Sequence, residues 1–182
     1  MEKRFKMIIT ISGTARCGKN YVGDLLCKKL PNAKCYAFAD ILKEYVCEMF
    51  DIDIETLDYY KNCGEPFTAN GVTMRTILQR FGTEIFVDKV DKLYWVKKLK
   101  EKINSENYEY AIITDARFCH ELDFIGESFK IFVKSNEEIA ESNHISERNL
   151  DDYTFDYEIN NIDKPNLSPV IDEIYSILTK RN

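Results

Sequence analysis

The sequence predicts an α/β fold built on a parallel sheet with helices on both faces. Two observations lead there. Five short apolar segments rich in β-branched and aromatic residues recur along the chain, at 5–12, 35–38, 110–115, 129–134 and 157–160. Segments with apolar residues at helical spacing separate most of them, and strands alternating with helices imply parallel pairing through crossovers. In such sheets ligands bind at the carboxyl ends of the strands, so the polar residues that follow each strand are the candidates for chemistry.

The elements read in order as follows. Residues 5–12 (FKMIITIS) are apolar and β-branched, as a strand covered on both faces requires. Residues 18–30 form a helix with Val22, Leu25, Leu26 and Leu30 on one stripe and Pro31 just past its end. CYAF at 35–38 is a short strand. ADILKEYVCEMF at 39–50 is helical, with Ile41, Leu42, Tyr45, Val46 and Met49 at helical spacing. Residues 51–71 are mixed and carry turn signals at Cys63-Gly64 and Asn70-Gly71. Thr73 caps a helix through MRTILQRFGTEIF, and a second helix over roughly 88–103 carries Val90, Leu93, Tyr94, Val96 and Leu99. YAIITD at 110–115 is a strand, 117–126 a short helix and FKIFVK at 129–134 another strand. Residues 135–155 are polar and irregular, YEIN at 157–160 is a last strand, and 168–180 is a final helix opened by Ser168-Pro169.

The 182 residues fit one domain with a substantial core, and 45% apolar with 31% charged residues is an ordinary globular composition. A net charge of -6, from 31 acidic against 25 basic residues, argues against a broad duplex-DNA surface. A small phosphorylated ligand needs only a local basic pocket. No apolar run approaches the ~20 residues of a membrane span. The N-terminal MEKRFKMIITISG lacks the apolar length and cleavage site of a signal peptide. The six cysteines (Cys17, Cys27, Cys35, Cys47, Cys63, Cys119) show no CxxC spacing and read as reduced thiols of a cytoplasmic protein.

The first strand runs into Gly13-Thr14-Ala15-Arg16-Cys17-Gly18-Lys19-Asn20, a G-x-x-x-x-G-K sequence between a strand and a helix. Its glycines let successive backbone N–H groups turn toward a phosphate, which the next helix also meets with its N-terminus. Lys19 reaches the β/γ-phosphates. Asn20 stands where Ser or Thr usually offers a hydroxyl to Mg²⁺. Its amide oxygen is an alternative hard ligand, or the metal is held by water and Asp115.

Asp115-Ala116-Arg117 follows an apolar strand, so Asp115 emerges at a carboxyl end, placed to orient Mg²⁺ or the attacking oxygen, and Arg117 to grip a phosphate with its planar fork. The structural alternative for Asp115 is a helix N-cap. Asp40 holds the same position after the second strand, with Lys43 one turn on, and is equally open to a capping role. Arg75 and Gln79 share a helix face at i, i+4, whereas Arg80 points elsewhere. Asp91 and Trp95 also share a face, Trp95 reading as core or a structural hydrogen bond. The polar loop SNHISERNLDD at 142–152 is either an ordinary connection or a lid to which Arg148 brings positive charge.

On GTARCGKN, RTILQRFGTEIFVDKVDKLYWVKKL, ITDARFCHELD, and HISERNLDD followed by YEINN, the chain resembles the deoxynucleoside monophosphate kinases of tailed bacteriophages. The resemblance implies a P-loop NTPase of nucleoside-monophosphate-kinase-like, three-layer α/β/α architecture with five parallel strands in the order 2-3-1-4-5. It implies a single domain over 1–182, with an acceptor-binding insertion at about 39–85 and a lid at about 135–155. It implies transfer of the ATP γ-phosphate, with Mg²⁺, to a deoxynucleoside monophosphate. Gly13 to Asn20 then hold ATP, and Asp40, Lys43, Arg75, Gln79 and Arg117 line the acceptor side. Lys19, Asp115, Arg117 and Arg148 act at the transferred phosphate, Asn160 and Asn161 lie near the adenine, and a homodimer accords with related phage enzymes. If the protein is viral, its compartment is the host cytoplasm. Two alternatives stay open: another small-molecule kinase, such as one acting on dephospho-CoA, and a nucleotide-binding module without transfer activity.

Overall fold

The computed structural model describes residues 7–13, 17–134, 150, 153–160 and 167–180. The first half of the chain forms β1 (Met7–Gly13), α1 (Lys19–Lys29), β2 (Ala33–Tyr36), α2 (Phe38–Phe50), α3 (Ile54–Cys63), α4 (Met74–Gln79) and a π-helical segment (Arg80–Val90). The second half adds α5 (Tyr94–Ser105), β3 (Tyr110–Ile113), α6 (Cys119–Ile125), β4 (Phe129–Lys134), β5 (Tyr157–Asn160) and α7 (Ser168–Lys180). Two compact units result: Met1–Ala37 with Glu101–Asn182, and Phe38–Lys100, which is inserted between β2 and β3.

The first unit holds a five-stranded sheet in the order β2-β3-β1-β4-β5, as the resemblance implies. All its pairings are parallel, with Ile9 of β1 opposite both Ile112 of β3 and Phe129 of β4. Every residue of β1 from Ile8 to Ser12 is buried, which is why its sequence runs apolar rather than alternating. Ile9, Ile11, Ile112, Ile131 and Val133 share a core with Val22 and Leu26 of α1 and with Ile171, Ile174 and Leu178 of α7. Those three α7 residues recur at i, i+3 and i+7, the stripe that a sheet-packed helix presents. At β2, Glu106 accepts from Lys34 Nζ at 2.6 Å and from the Tyr36 hydroxyl at 2.9 Å, and burial and this bond push the Tyr36 phenol well up. β2 ends two residues earlier than the sequence suggests, because Phe38 is buried as the first residue of α2.

In the second unit, Val46 of α2, Leu57 of α3, and Met74 and Ile77 of α4 form a core with Leu42, Phe50, Tyr60, Phe67 and Phe81 around it. Helix α3 occupies part of the stretch left undefined by sequence. Asp53 caps it by accepting from Thr56 N at 2.8 Å, and Gly64 (φ 72) closes it. Thr73 caps α4 as expected, its hydroxyl accepting from Thr76 N at 3.3 Å. Beyond Gln79 the chain does not keep the α-helical pitch. It widens into the π-helical segment, whose end is marked by Asp91 N donating to Phe86 O at 2.8 Å, an i→i−5 bond. Gly82 lies in this segment against α2: a Cβ there would sit 2.8 Å from Leu42 Cδ2. Asp91 turns the chain into α5, accepting from Leu93 N at 2.9 Å and Lys97 Nζ at 2.6 Å, so its role is structural.

Candidate active site

In the first unit the site begins where β1 ends. Gly13 (φ 145) has its Cα so close to β4 that a Cβ would lie 2.2 Å from Val133 O. Gly18 (φ 92) turns the chain into α1, which has no side-chain cap and no acid in its first turn. Its leading N–H groups and positive dipole end are therefore not taken up by a carboxylate of its own. Lys19 Nζ donates to Gly13 O at 2.9 Å and lies 3.7 Å from Cys17 Sγ, so the ammonium is folded back toward the end of β1. Cys17 is fully buried and anchors the loop in the core, while Asn20 is exposed in the first turn of α1. Thr14, Ala15 and Arg16 lie outside the described residues.

Next to β1 in the sheet, β3 ends at Ile113, and Thr114 N donates to Tyr36 O at 3.0 Å. Asp115 is half-buried, Ala116 buried and Arg117 exposed. Asp115 is not the cap of α6; the capping position belongs to Phe118. The segment is fixed instead by Glu121, whose Oε2 accepts from the N–H groups of Arg117 at 2.7 Å and Phe118 at 3.0 Å. Burial, reinforced by the charge of Asp115, pushes the Glu121 carboxyl up to about 7 against the opposing pull of those two N–H groups and of Arg117. Sequence reasoning placed Glu121 in the motif but gave it no role. Glu at the third position of a short helix after a turn was the available signal.

In the second unit, Asp40 and Lys43 lie on α2 and Arg75 and Gln79 on α4. Asp40 is exposed at the third position of α2, inside the helix rather than at its cap. Lys43 Nζ pairs with Asp58 of α3 at 2.8 Å. Arg75 Nη2 donates to Lys61 O, in the last turn of α3, at 3.4 Å. The structure thus brings Asp40, Lys43 and Arg75 into one electrostatic cluster with Asp58 and Lys61, two residues that sequence reasoning missed with their helix. Gln79 and Arg80 are both exposed, Gln79 one turn beyond Arg75.

Asn160 is exposed at the end of β5, opposite Lys134 of β4. Asn161, Arg148 and His144 lie outside the described residues, as does most of the 135–155 segment. Of that segment Leu150 is buried, and the Tyr153 hydroxyl donates to Asp123 at 3.0 Å. Among the described residues, no three His, Cys, Asp or Glu side chains gather into a metal site. Mg²⁺ needs only one or two protein oxygens beside phosphate and water, and Asp115 and Asn20 are hard-oxygen donors of that kind.

A family model described as deoxynucleotide monophosphate kinase matches residues 61–167. A deoxynucleotide monophosphate kinase of Enterobacteria phage T4 is 38% identical over 55 residues, 28% of this chain and 22% of the relative. One from Escherichia phage RB69 is 29% identical over 115 residues, 59% of this chain and 44% of the relative. The chain therefore spans less than half the length of either relative. Among solved structures, shikimate kinase from Aquifex aeolicus vf5 superposes with a TM-score of 0.52 at 19% identity, covering 96% of this chain and 98% of that one. TT1252 from Thermus thermophilus does so with 0.57 at 14% identity, covering 98% and 99%. At such identities these two define the fold alone.

Proposed function

The chain belongs to the deoxynucleotide monophosphate kinase family, and from that premise we propose that it transfers the γ-phosphate of ATP to a deoxynucleoside 5′-monophosphate, giving ADP and the deoxynucleoside diphosphate. The observation that carries the reading is that the family match takes in both the Arg75/Gln79 helix and Asp115-Ala116-Arg117. The glycine-lysine loop of β1 and α1 stands outside the matched residues and supports the donor site independently.

Both substrates are polyanions, so the chief task is to bring them together in line. The loop N–H groups and the N-terminus of α1 hold the ATP phosphates, and Lys19 leaves Gly13 O to reach the β/γ-phosphates. Asp40, Lys43, Arg75 and Gln79 hold the acceptor. Arg117 spans the transferring group, its backbone pinned by Glu121 so that only the side chain need adjust. Arg148 adds charge from the lid, which closes out water, and Asn160 and Asn161 lie by the adenine. Asp115 and Asn20 hold Mg²⁺, which when bound supplies counter-charge to the ATP phosphates. An acceptor phosphate that is already ionised requires no strong general base, consistent with a reading that assigns none. The setting that goes with this reading is the cytoplasm, and no helix among the described residues is long and apolar enough to cross a membrane.

The test is a coupled ADP-release assay with ATP, Mg²⁺, and dTMP, dGMP, dCMP, dAMP, the ribonucleotides and dephospho-CoA as acceptors. Turnover on one or more deoxynucleotides is expected, lost in Lys19→Ala and reduced about a hundredfold or more in Arg117→Ala. Turnover on dephospho-CoA alone, or ATP binding without any acceptor-dependent turnover, would overturn the reading.

A further inference from the structure

We propose that Lys61 of α3 binds the phosphate of the acceptor nucleotide, as the third cation of an anion site completed by Lys43 of α2 and Arg75 of α4. The inference rests on the kinase reading above and adds to it a ligand from a helix the sequence did not reveal.

Three helices deliver one cation each. Asp58 and Lys61 are three residues apart on α3 and so share a face. Asp58 holds Lys43 at 2.8 Å, which turns that face toward α2. Arg75 of α4 reaches the same turn of α3, its guanidinium donating to the Lys61 carbonyl at 3.4 Å. Lys43, Lys61 and Arg75 are thus gathered with two carboxylates, of which Asp58 is engaged by Lys43 and Asp40 remains. Lys61 is half-buried, and among the described residues its ammonium has neither a hydrogen-bond acceptor nor an ion-pair partner. Burial, then the charges of Lys43 and Arg75, hold the Lys61 ammonium below the ordinary lysine range, only partly relieved by Asp58 and Asp40.

An ammonium held half out of water beside two other cations, with its charge offset only in part by nearby carboxylates, gains further compensation when an anion arrives. A phosphate monoester carries close to two negative charges at neutral pH and three acceptor oxygens, enough to meet three donors from three directions. A nucleoside without the phosphate offers the cluster nothing. The cluster therefore reads the phosphate and leaves the base to other groups.

The experiment is calorimetric titration of the full chain with the four deoxynucleoside monophosphates and, separately, their nucleosides, in wild type, Lys61→Met and Lys61→Arg. In Lys61→Met, the affinity for the best-bound monophosphate is expected to fall about tenfold or more. ATP and nucleoside affinities should not change, and Lys61→Arg should restore most of the loss. If Lys61→Met is unstable, Lys61→Gln takes its place. Wild-type monophosphate affinity in the Met or Gln variant would overturn the role of Lys61 and leave the kinase reading intact. A wild-type chain that binds no deoxynucleoside monophosphate would overturn both.

Discussion

The indole Nε1 of Trp95 donates to the carbonyl oxygen of Gly82 at 2.8 Å, joining the start of α5 to the π-helical segment that precedes it. The bond is buried, and the indole is wrapped by Phe86 at 5.1 Å, Tyr94 at 4.9 Å and Tyr45 at 5.9 Å between ring centroids. Gly82 also keeps α2 close, since any side chain there would press on Leu42. Trp95→Phe keeps most of the ring packing and leaves the Gly82 carbonyl without its donor. The expected loss is about 1–3 kcal/mol of stability, read as a lower urea midpoint. An unchanged midpoint would mean that the carbonyl finds water or another donor.

Gly13→Ala should be among the most damaging small substitutions in the chain. It sets a methyl group 2.2 Å from the backbone oxygen of Val133 and forces alanine to a φ of 145. Val133 belongs to β4 and cannot swing aside as a side chain would. A loss of about 3 kcal/mol or more is expected, together with loss of ATP binding. Stable folding with full nucleotide affinity would show that the strand end relaxes more than this packing allows.

The Glu121 carboxyl, pushed up to about 7 from its ordinary 4.5, makes stability pH-dependent. Between those values the folded chain retains a proton that the unfolded chain gives up. The contribution is therefore complete below about pH 4.5 and is lost as pH rises through about 7. Urea midpoints measured from about pH 5 to pH 8 should fall in wild type and fall less in Glu121→Gln, which keeps an oxygen for the Arg117 and Phe118 N–H groups. Parallel profiles would exclude Glu121 as the titrating group.

Thr73→Ala removes the oxygen that accepts from Thr76 N at the head of α4. A cost of about 1 kcal/mol is expected. Because α4 carries Arg75 and Gln79, the variant should also raise the acceptor KM more than the ATP KM. Equal effects on the two constants would count against α4 as an acceptor element.

What could be read in advance follows burial. The strands were legible because residues such as Ile9, Ile11, Ile112, Ile131 and Val133 are fully buried in a sheet covered on both sides. Asp115 and Arg117 stood out as charges placed directly after such a run. Helix α3 was not legible because Leu57 is its one buried residue while Ile54 and Tyr59 are exposed, so no apolar stripe marks it. Its caps, Asp53 and Gly64, were the signal, and without the helix Lys61 had no address. The π-helical segment was likewise read as a continued α-helix ending near Phe86. A change of pitch leaves little trace in side-chain spacing, and the indole that bonds the segment at Gly82 is contributed by the next helix.

The position of β1 also fixes when the phosphate loop can exist. β1 precedes the other described strands in sequence and is the central strand of the sheet, but both of its neighbours follow the inserted unit. Met7 must wait for Tyr110, and Ile9 for Phe129. On the ribosome the glycine-lysine loop therefore emerges before the strands that flank β1 and stays shapeless until they follow. The core that α2 to α4 share is built from residues of the inserted unit, which precede β3 in sequence. A nascent chain halted before β4 would lack the strand that pairs with Gly13 through Val133, and the loop that follows would have no fixed starting point.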